Sequence, residues 1–573
     1  MSQLTKRQIL DTLTKELKRE RQSFESQWRS ISDYTLPSRA RFTLSRTNRG
    51  DRRNQKIINS TAVLASRTLR SGMVAGITSP ARPWYKLAIK DRDLMEYGPV
   101  KYWLQNTENE MRSQFLVSNL YNILPTLYGD LGNFATGCIF MEEDFETVSR
   151  FYVFPIGSYW IANDERLKVK IFYREFRFTV RQIVEKFGRK DATGSYDWSN
   201  ISSQVKNLYN RSQYETWIDM CHIVIPNISY DPNKLLSKYK KYSSIYYEKG
   251  TGNNDKADMD KYLSEKGYTY FPVLAPRWEK TGEDVYGTDC PGMTAFGDNK
   301  SLQTMEKREA QAIEKLINPP MTGPSILRNK KASILPGDMT YLDLREGQQG
   351  FKPVHEVKPD IASIEMKIEK QERRISRAYY ENLFLMLSQS DRREITAREV
   401  DERHEEKLLM LGPVLEGLNE DLLDPLIDNQ FAFGEEQGRF LPPPPELSGM
   451  PLKVEYVSIM AQAQKLAGIA NIERFFGFVI NTAVQSQNFQ MLQKIDFDQA
   501  VDVYGERMGI DVDLIKTDED VQVIREQEAK AAQEQATMDQ ITQGASAAKD
   551  LAKSDLKGNN ALKKVVEGIG GNQ

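Results

Sequence analysis

The stretch Leu274 to Gly292, LAPRWEKTGEDVYGTDCPG, collects side chains from which active sites are made. Arg277 could hold an anion, Glu283 and Asp284 could move protons, Cys290 could attack a carbon or phosphorus centre, and Trp278 and Tyr286 could wall a pocket. Nucleophilic catalysis also needs a base that activates the nucleophile, and neither a histidine nor a serine-nucleophile motif accompanies this loop. The same residues read more simply as a packed loop. In that reading Trp278 anchors, Arg277 pairs with an acid, and the glycines and prolines shape turns.

Other chemistry-bearing residues are equally isolated. Cys138, Cys221 and Cys290 form neither a CxxC pattern nor a disulfide framework, and His222, His355 and His404 are scattered. Cys221 and His222 sit in the apolar run MCHIVIP and read as packing residues. DERHEEK, 401–407, lacks the second histidine of a zincin helix and reads as a solvated helix face. No GKS or GKT occurs, so a Walker A loop is excluded, and GTGNND, 250–255, reads as a hairpin tip. The chain is expected to carry no catalytic centre, no bound metal and no cofactor.

The elements around these residues belong to a large, mixed chain. Its 573 residues exceed what one hydrophobic core organises. Mean hydropathy is −0.57, and no apolar run is long enough to span a bilayer. The N-terminus is amphipathic and charged, without a signal-peptide core, so residence in a cytoplasm and no membrane partner are expected. Net charge is −2 but unevenly placed: residues 39–56 carry Arg39, Arg41, Arg46, Arg49, Arg52, Arg53 and Lys56 against Asp51, and 416–436 is strongly acidic. The basic segment reads as a loop or arm, solvated or set against an acidic neighbouring subunit rather than a dedicated nucleic-acid clamp.

Periodicity predicts helices over 3–34, 60–76 and most of 99–130, then a strand-rich region over 134–178. Thr179 with Gln182 forms a capping box, Phe178 and Ile183 a hydrophobic staple, and Gly188 a left-handed C-cap. Strands follow over 214–228, then a hairpin of SSIYYEKG and GYTYFPVL around a polar insert, 249–266. A long charged helix over 294–316 ends at NPP. A Pro/Gly-punctuated module, 319–357, separates it from a second helix over 359–387, in which Glu369 and Arg373 pair at i,i+4. SQSDRRE, 388–394, interrupts before Thr396 and Glu399 open another capping box and a helix to Leu411. Helical patterning continues to Phe433. LPPPPELSGMP, 441–451, reads as an extended linker, with helices resuming over 453–468, 471–486, 497–508 and from about 519; 543–573 reads as frayed or disordered.

Five segments in register, WRSISDYTLPSR, INSTAVLASRTLRSGMVAGITSPARPWYKL, YREFRFTVRQIVEKFG, FPVLAPRWEKTGEDVYG and TAREVDERHEEKLLMLGPVLEGLNEDLLDPLID, resemble the head-to-tail connecting (portal) proteins of short-tailed bacteriophages over roughly 20–530. The resemblance implies a helix-rich α+β portal fold with wing, two-helix stem, clip and C-terminal helical crown. The wing would take 1–293, the stem helices 294–318 and 358–387, the clip 319–357 and the channel loop 388–395. Further wing and crown helices would take 396–510, and a crown or barrel helix with a flexible tail 511–573.

It implies a dodecameric ring at one capsid vertex, in the virion after assembly in the host cytoplasm. Its partners would be double-stranded DNA passing through the channel, the terminase large subunit, tail adaptor proteins, and major capsid and scaffolding proteins. Asp391, Arg392 and Arg393 are then candidates for the narrow part of the channel, Arg328, Lys330 and Lys331 for the clip surface, and Trp84, Arg277, Trp278 and Tyr286 for wing packing. The basic segment 39–56 and the acidic segment 416–436 could be complementary faces of adjoining subunits. A metal-dependent nucleic-acid-processing enzyme and another virion ring protein, such as a tail adaptor, stay open as alternatives.

Overall fold

The computed structural model describes residues 5–447 except 40, 43–49, 52, 92–93, 96, 191–193, 195, 235, 250–260, 318, 320, 323–351, 354–359 and 390–410, then 452–456 and scattered positions from 475 to 530. Two units are distinguished, residues 1–464 and 465–573. In the second, the described positions, 475–479 and 524–530 among them, are helical. All that follows concerns the first, which is helix-rich α+β.

Helix α1 (Lys6–Tyr34) starts at a full capping box of Thr5 and Gln8. It is followed by α2 (Thr61–Ile77), β1 (Tyr85–Ala88), α3 (Gly98–Val117) and α4 (Leu120–Phe134). The strand-rich part comprises β2 (Ile139–Asp144), β3 (Val148–Val153), β4 (Tyr159–Asn163) and β5 (Val169–Thr179), then α5 (Val180–Phe187), β6 (Trp217–Pro226), β7 (Tyr242–Glu248), β8 (Ser264–Tyr268) and β9 (Val273–Leu274). An antiparallel five-stranded sheet runs β8-β7-β6-β5-β4, and a smaller one runs β9-β2-β3.

The five-stranded sheet is covered on both faces, and most residues of its strands β6 and β7 are buried. On β6 the alternation sends Cys221 and Ile223 to the face beneath α1, where Leu10 and Leu17 meet Trp160, Tyr173 and Tyr247. Two buried arginines of α1 seat it there. The Arg7 guanidinium lies 3.9 Å from the centre of the Tyr247 ring and donates to Glu248 O, and Arg21 lies 3.9 Å from that of Trp160 and donates to Tyr159 O. Cys221 and His222 therefore point to opposite faces.

His222 packs inside the other face. Its ring stacks on Tyr246 at 3.8 Å and its Nε2 lies 2.9 Å from Ser244 Oγ. Burial, together with the nearby Arg174 and Lys186 charges, holds its pKa well below the ordinary imidazole range. A histidine with a depressed folded pKa contributes stability that is complete above its unfolded pKa of about 6.5 and is lost as pH falls below it. In urea titrations from pH 7.5 to 5, the parent is expected to lose up to about 1.4 kcal/mol per pH unit from this group. His222→Gln should remove that contribution. Parallel pH profiles for parent and variant would refute a neutral buried His222.

Further along the chain lie α6 (Phe296–Ile317), β10 (Met321–Thr322), β11 (Lys352–Pro353), α7 (Ile361–Ala378), α8 (Glu381–Gln389), α9 (Gly412–Leu418), a π-helical turn (Asn419–Leu423), α10 (Asp424–Glu436) and β12 (Lys453–Tyr456). The largest core joins α2, α3 and α4 to α8, α9, the π turn and α10, with Leu69, Phe115, Leu127, Phe384, Leu422 and Leu426 buried together.

Several expectations are corrected. The Thr179–Gln182 capping box forms, but Gly188 is extended (φ −72°), not left-handed. Glycine is required there by close approach, because a Cβ would sit 2.3 Å from Val184 O. The second hairpin arm is SEKGY rather than GYTYFPVL, since Val273 and Leu274 leave to pair with β2. The helix over 359–387 breaks at Tyr379–Tyr380, and its second part runs through Gln389, past the expected interruption at 388. Residues 453–456 are a strand paired with β1, not a helix. The proline-rich segment is packed rather than free-running: Leu447 is buried and Leu441 O accepts from Trp103 Nε1 at 2.8 Å.

The basic segment is partly bound to its own subunit. Arg39 grips the buried Asp130 carboxylate with two nitrogens, Phe42 packs beside Trp28, and Lys56 meets Asp33. The expected tip GTGNND, the Thr396–Glu399 box and the three strand-like pieces of 319–357 lie outside the described residues.

Candidate functional site

The loop Leu274–Gly292 is a structural junction. Its Arg277 is completely buried, and all five guanidinium N–H groups are used. Nε and Nη2 donate to the two oxygens of Asp421, each at 3.0 Å; Nη2 also reaches Leu167 O at 2.9 Å; and Nη1 donates to Asn163 Oδ1 at 3.0 Å and Val285 O at 3.3 Å. One side chain thereby ties the loop to the β4–β5 turn and to the π-helical turn. The extra residue of the π turn helps bring Asp421 inward from a helix whose Glu416 and Glu420 face solvent. Asp421 is also 3.6 Å from Lys280, Glu420 pairs with Lys168, and Glu436 with Lys240. These intramolecular pairs take up three of the seven carboxylates in 416–436.

The other loop residues point away from one another. Trp278 N–H donates to Ala135 O at 2.9 Å, and its ring stacks on Tyr380. Tyr286 is buried beneath the sheet, where its hydroxyl accepts from Ile161 N–H at 3.1 Å and the Trp28 ring meets it edge-on at 5.3 Å. A Cβ on Gly287 would lie 2.2 Å from Ala135 O, so only glycine permits that approach. Glu283 is exposed, and burial pushes the Cys290 thiol up to about 12. Proton-moving groups and nucleophile are therefore not assembled. Trp84 lies apart in the helical core, its Nε1 donating to Tyr121 OH at 3.2 Å.

From this junction the chain enters α6, which runs antiparallel to α7. At the base, Gln303 Oε1 accepts from Ile58 and Asn59 N–H at 2.6 and 2.8 Å, and its Nε2 donates to Asn59 O and Asn299 Oδ1. Asn59 Nδ2 in turn bridges Glu306 on α6 and Glu372 on α7, and Gln371 Nε2 donates to Asp298 Oδ1 at 2.5 Å. At the far end β10 pairs antiparallel with β11, closing the outgoing chain on the returning one.

Between base and far end, α6 rises about 20 Å beyond Gln303 at ~1.5 Å per residue. That part leaves Ile313, Leu316, Ile317 and, on α7, Met366 exposed, Ile317 at 79% and Met366 at 64%. Burial, then Glu306 one turn earlier on α6 and Glu365 across on α7, raise the pKa of Glu309.

Among the described residues no group of His, Cys, Asp and Glu could hold a metal ion, and no helix is long and apolar enough to cross a membrane. Arg328, Lys330, Lys331, Asp391, Arg392 and Arg393 lie outside the described residues. Sequence reasoning missed Asp421, Asn163, Asn59 and Gln303. Each acts on a partner more than 100 residues away, so none carries a local spacing signal.

A family model described as bacteriophage head to tail connecting protein matches residues 7–515. The chain is 44% identical over 573 residues to the portal protein of Salmonella phage epsilon15, covering 100% of both chains. It is 38% identical over 571 residues to the probable portal protein of Bordetella phage BPP-1, again covering 100% of both.

Proposed function

Since the chain belongs to the bacteriophage head to tail connecting protein family, we propose that its phage portal role is performed by a closed ring of copies around a DNA channel. The family is one of structural connectors at the head–tail junction, with capsid and tail as partners. The finer reading is a ring of about twelve subunits at one capsid vertex. DNA would enter it under the terminase motor and leave at infection, while scaffolding protein and tail adaptors would dock on its rims. No catalytic step belongs to the subunit.

The observation that carries this reading is the full-length match to two portal proteins, and the antiparallel α6–α7 pair supports it. That pair is fastened at its base, and its free part shows Ile313, Leu316, Ile317 and Met366 to solvent on a side that also carries charged residues. Such a side needs a neighbour to cover it. In this reading α6 and α7 are the stem, 319–357 the clip, and Trp84, Arg277, Trp278 and Tyr286 stabilise the wing that feeds chain into the stem. Arg328, Lys330 and Lys331 would lie on the clip surface.

A conduit must not hold DNA fast, because neutralising many phosphates raises affinity steeply. Few cations are therefore expected in the bore, with Arg392 and Arg393, beside Asp391, touching phosphates in passing. Exchanging both arginines for glutamine should leave rings of parental mass in native mass spectrometry and change the amount or length of DNA that particles package and retain. Parental packaging and retention, or loss of rings, would remove this segment from the bore. A chain that stays monomeric at micromolar concentration would sink the ring itself.

A further inference from the structure

The long helix expected over 359–387 is interrupted at a place where its sequence, ISRAYYENLF, contains no glycine or proline. Tyr380 adopts the left-handed conformation at φ +56°, which side chains other than glycine and asparagine seldom accept. A conformation of that kind persists only where surrounding contacts over-determine it.

Three contacts do so. Tyr379 is buried, and its hydroxyl donates to Asn133 Oδ1 at 2.8 Å. Asn133, also buried, uses its Nδ2 on Ser66 Oγ and Gly129 O, both at 2.7 Å, so one amide joins α2, α4 and the helix break. The Trp278 ring stacks on Tyr380. Beyond the break, Phe384 fills the notch left by Gly72 on α2, where a Cβ would lie 2.1 Å from its ring. The direction of α8 is thus set by the body of the subunit and is not inherited from α7.

We propose that Asn133 and Tyr379 are positioning residues that aim α8 through the Tyr379 hydroxyl to Asn133 hydrogen bond. The aiming of α8 stands on these contacts and does not depend on the channel reading above. The hydroxyl is the one part of this arrangement that can be removed without disturbing shape, because Tyr379→Phe keeps the buried ring.

The test is a pulsed electron-spin distance measurement on the full chain. Spin labels are placed at Gln389→Cys, the end of α8, and at Leu116→Cys, an exposed position on α3; Cys138, Cys221 and Cys290 are buried and remain. Doubly labelled subunits are diluted into unlabelled ones, so the distance within a subunit is read whether or not rings form. Tyr379→Phe is expected to shift or broaden the distribution by about 3 Å or more, roughly two residues of helical rise, with the thermal midpoint changed by only a few degrees. Asn133→Ser, too short to reach Tyr379, should reproduce the shift. Tyr380→Gly accepts the left-handed conformation freely, so the Trp278 stack is no longer needed to hold it, and with the Tyr379–Asn133 bond intact the variant should keep the parental distribution.

A parental distribution in both Tyr379→Phe and Asn133→Ser would overturn the proposal. Absence of rings in the parent, seen by native mass spectrometry, would instead remove the channel reading and leave the distance result standing.

Discussion

Exchanging Arg277 for methionine is expected to lower the stability of the first unit by about 3–5 kcal/mol, the usual consequence of removing one partner from a buried ion pair. The replacement is close in volume, so the loss is chiefly electrostatic. Asp421, 6% exposed, would keep its charge with only Lys280 at 3.6 Å to answer it, and Asn163 Oδ1, Leu167 O and Val285 O would each lose a donor. Arg277→Lys should recover little, because one ammonium cannot reproduce a planar five-donor fork. Arg277→Met with Asp421→Leu should be more stable than Arg277→Met alone, since the stranded carboxylate is gone. Urea unfolding followed by tryptophan fluorescence measures all three. A loss below about 1 kcal/mol for Arg277→Met, the range of an exposed pair, would show that the junction is not what holds the loop.

Leu316→Gln together with Ile317→Gln is expected to leave the subunit folded and to abolish assembly of the proposed ring. Ile317 is 79% exposed and Leu316 44%, so the folded subunit loses only the covered part of Leu316 and little of Ile317. Covered by a neighbour, each would contribute about 1.5–3 kcal/mol. Losing both would weaken every contact around the proposed ring by up to about 3–6 kcal/mol, or roughly 10² to 10⁴ in affinity. Native mass spectrometry across a concentration series reads the result against circular dichroism as a folding control. Rings that persist at the parental midpoint concentration would place the subunit contact elsewhere.

Local features were legible because their physics is local. The helices 6–34, 61–77 and 296–317 follow apolar spacing. The Thr179–Gln182 box satisfies backbone donors within one turn, and the Glu369–Arg373 pair needs only the helix it sits on. The failures have causes that local propensity does not contain. A glycine after a helix suggests a left-handed cap, but Gly188 answers a contact with Val184 O that propensity does not contain. Lys453–Tyr456 is a strand because β1, more than 360 residues earlier, offers an unpaired edge.

By itself, the sequence determined the fold class, the order of elements, the family resemblance and the absence of familiar catalytic spacings. All of these are carried by residue types at short separations or by segments in register. Only the tertiary structure decided what the suggestive loop is for, since Arg277 and Asp421 are 144 residues apart and meet through a π-helical turn. It alone showed the long helix breaking at Tyr379–Tyr380. The local sequence favours continuation there, and the Asn133 amide, the Trp278 ring and the Gly72 notch outweigh it. Side chains satisfied across such separations leave no periodic trace in the chain, because their geometry exists only once the core has closed around them.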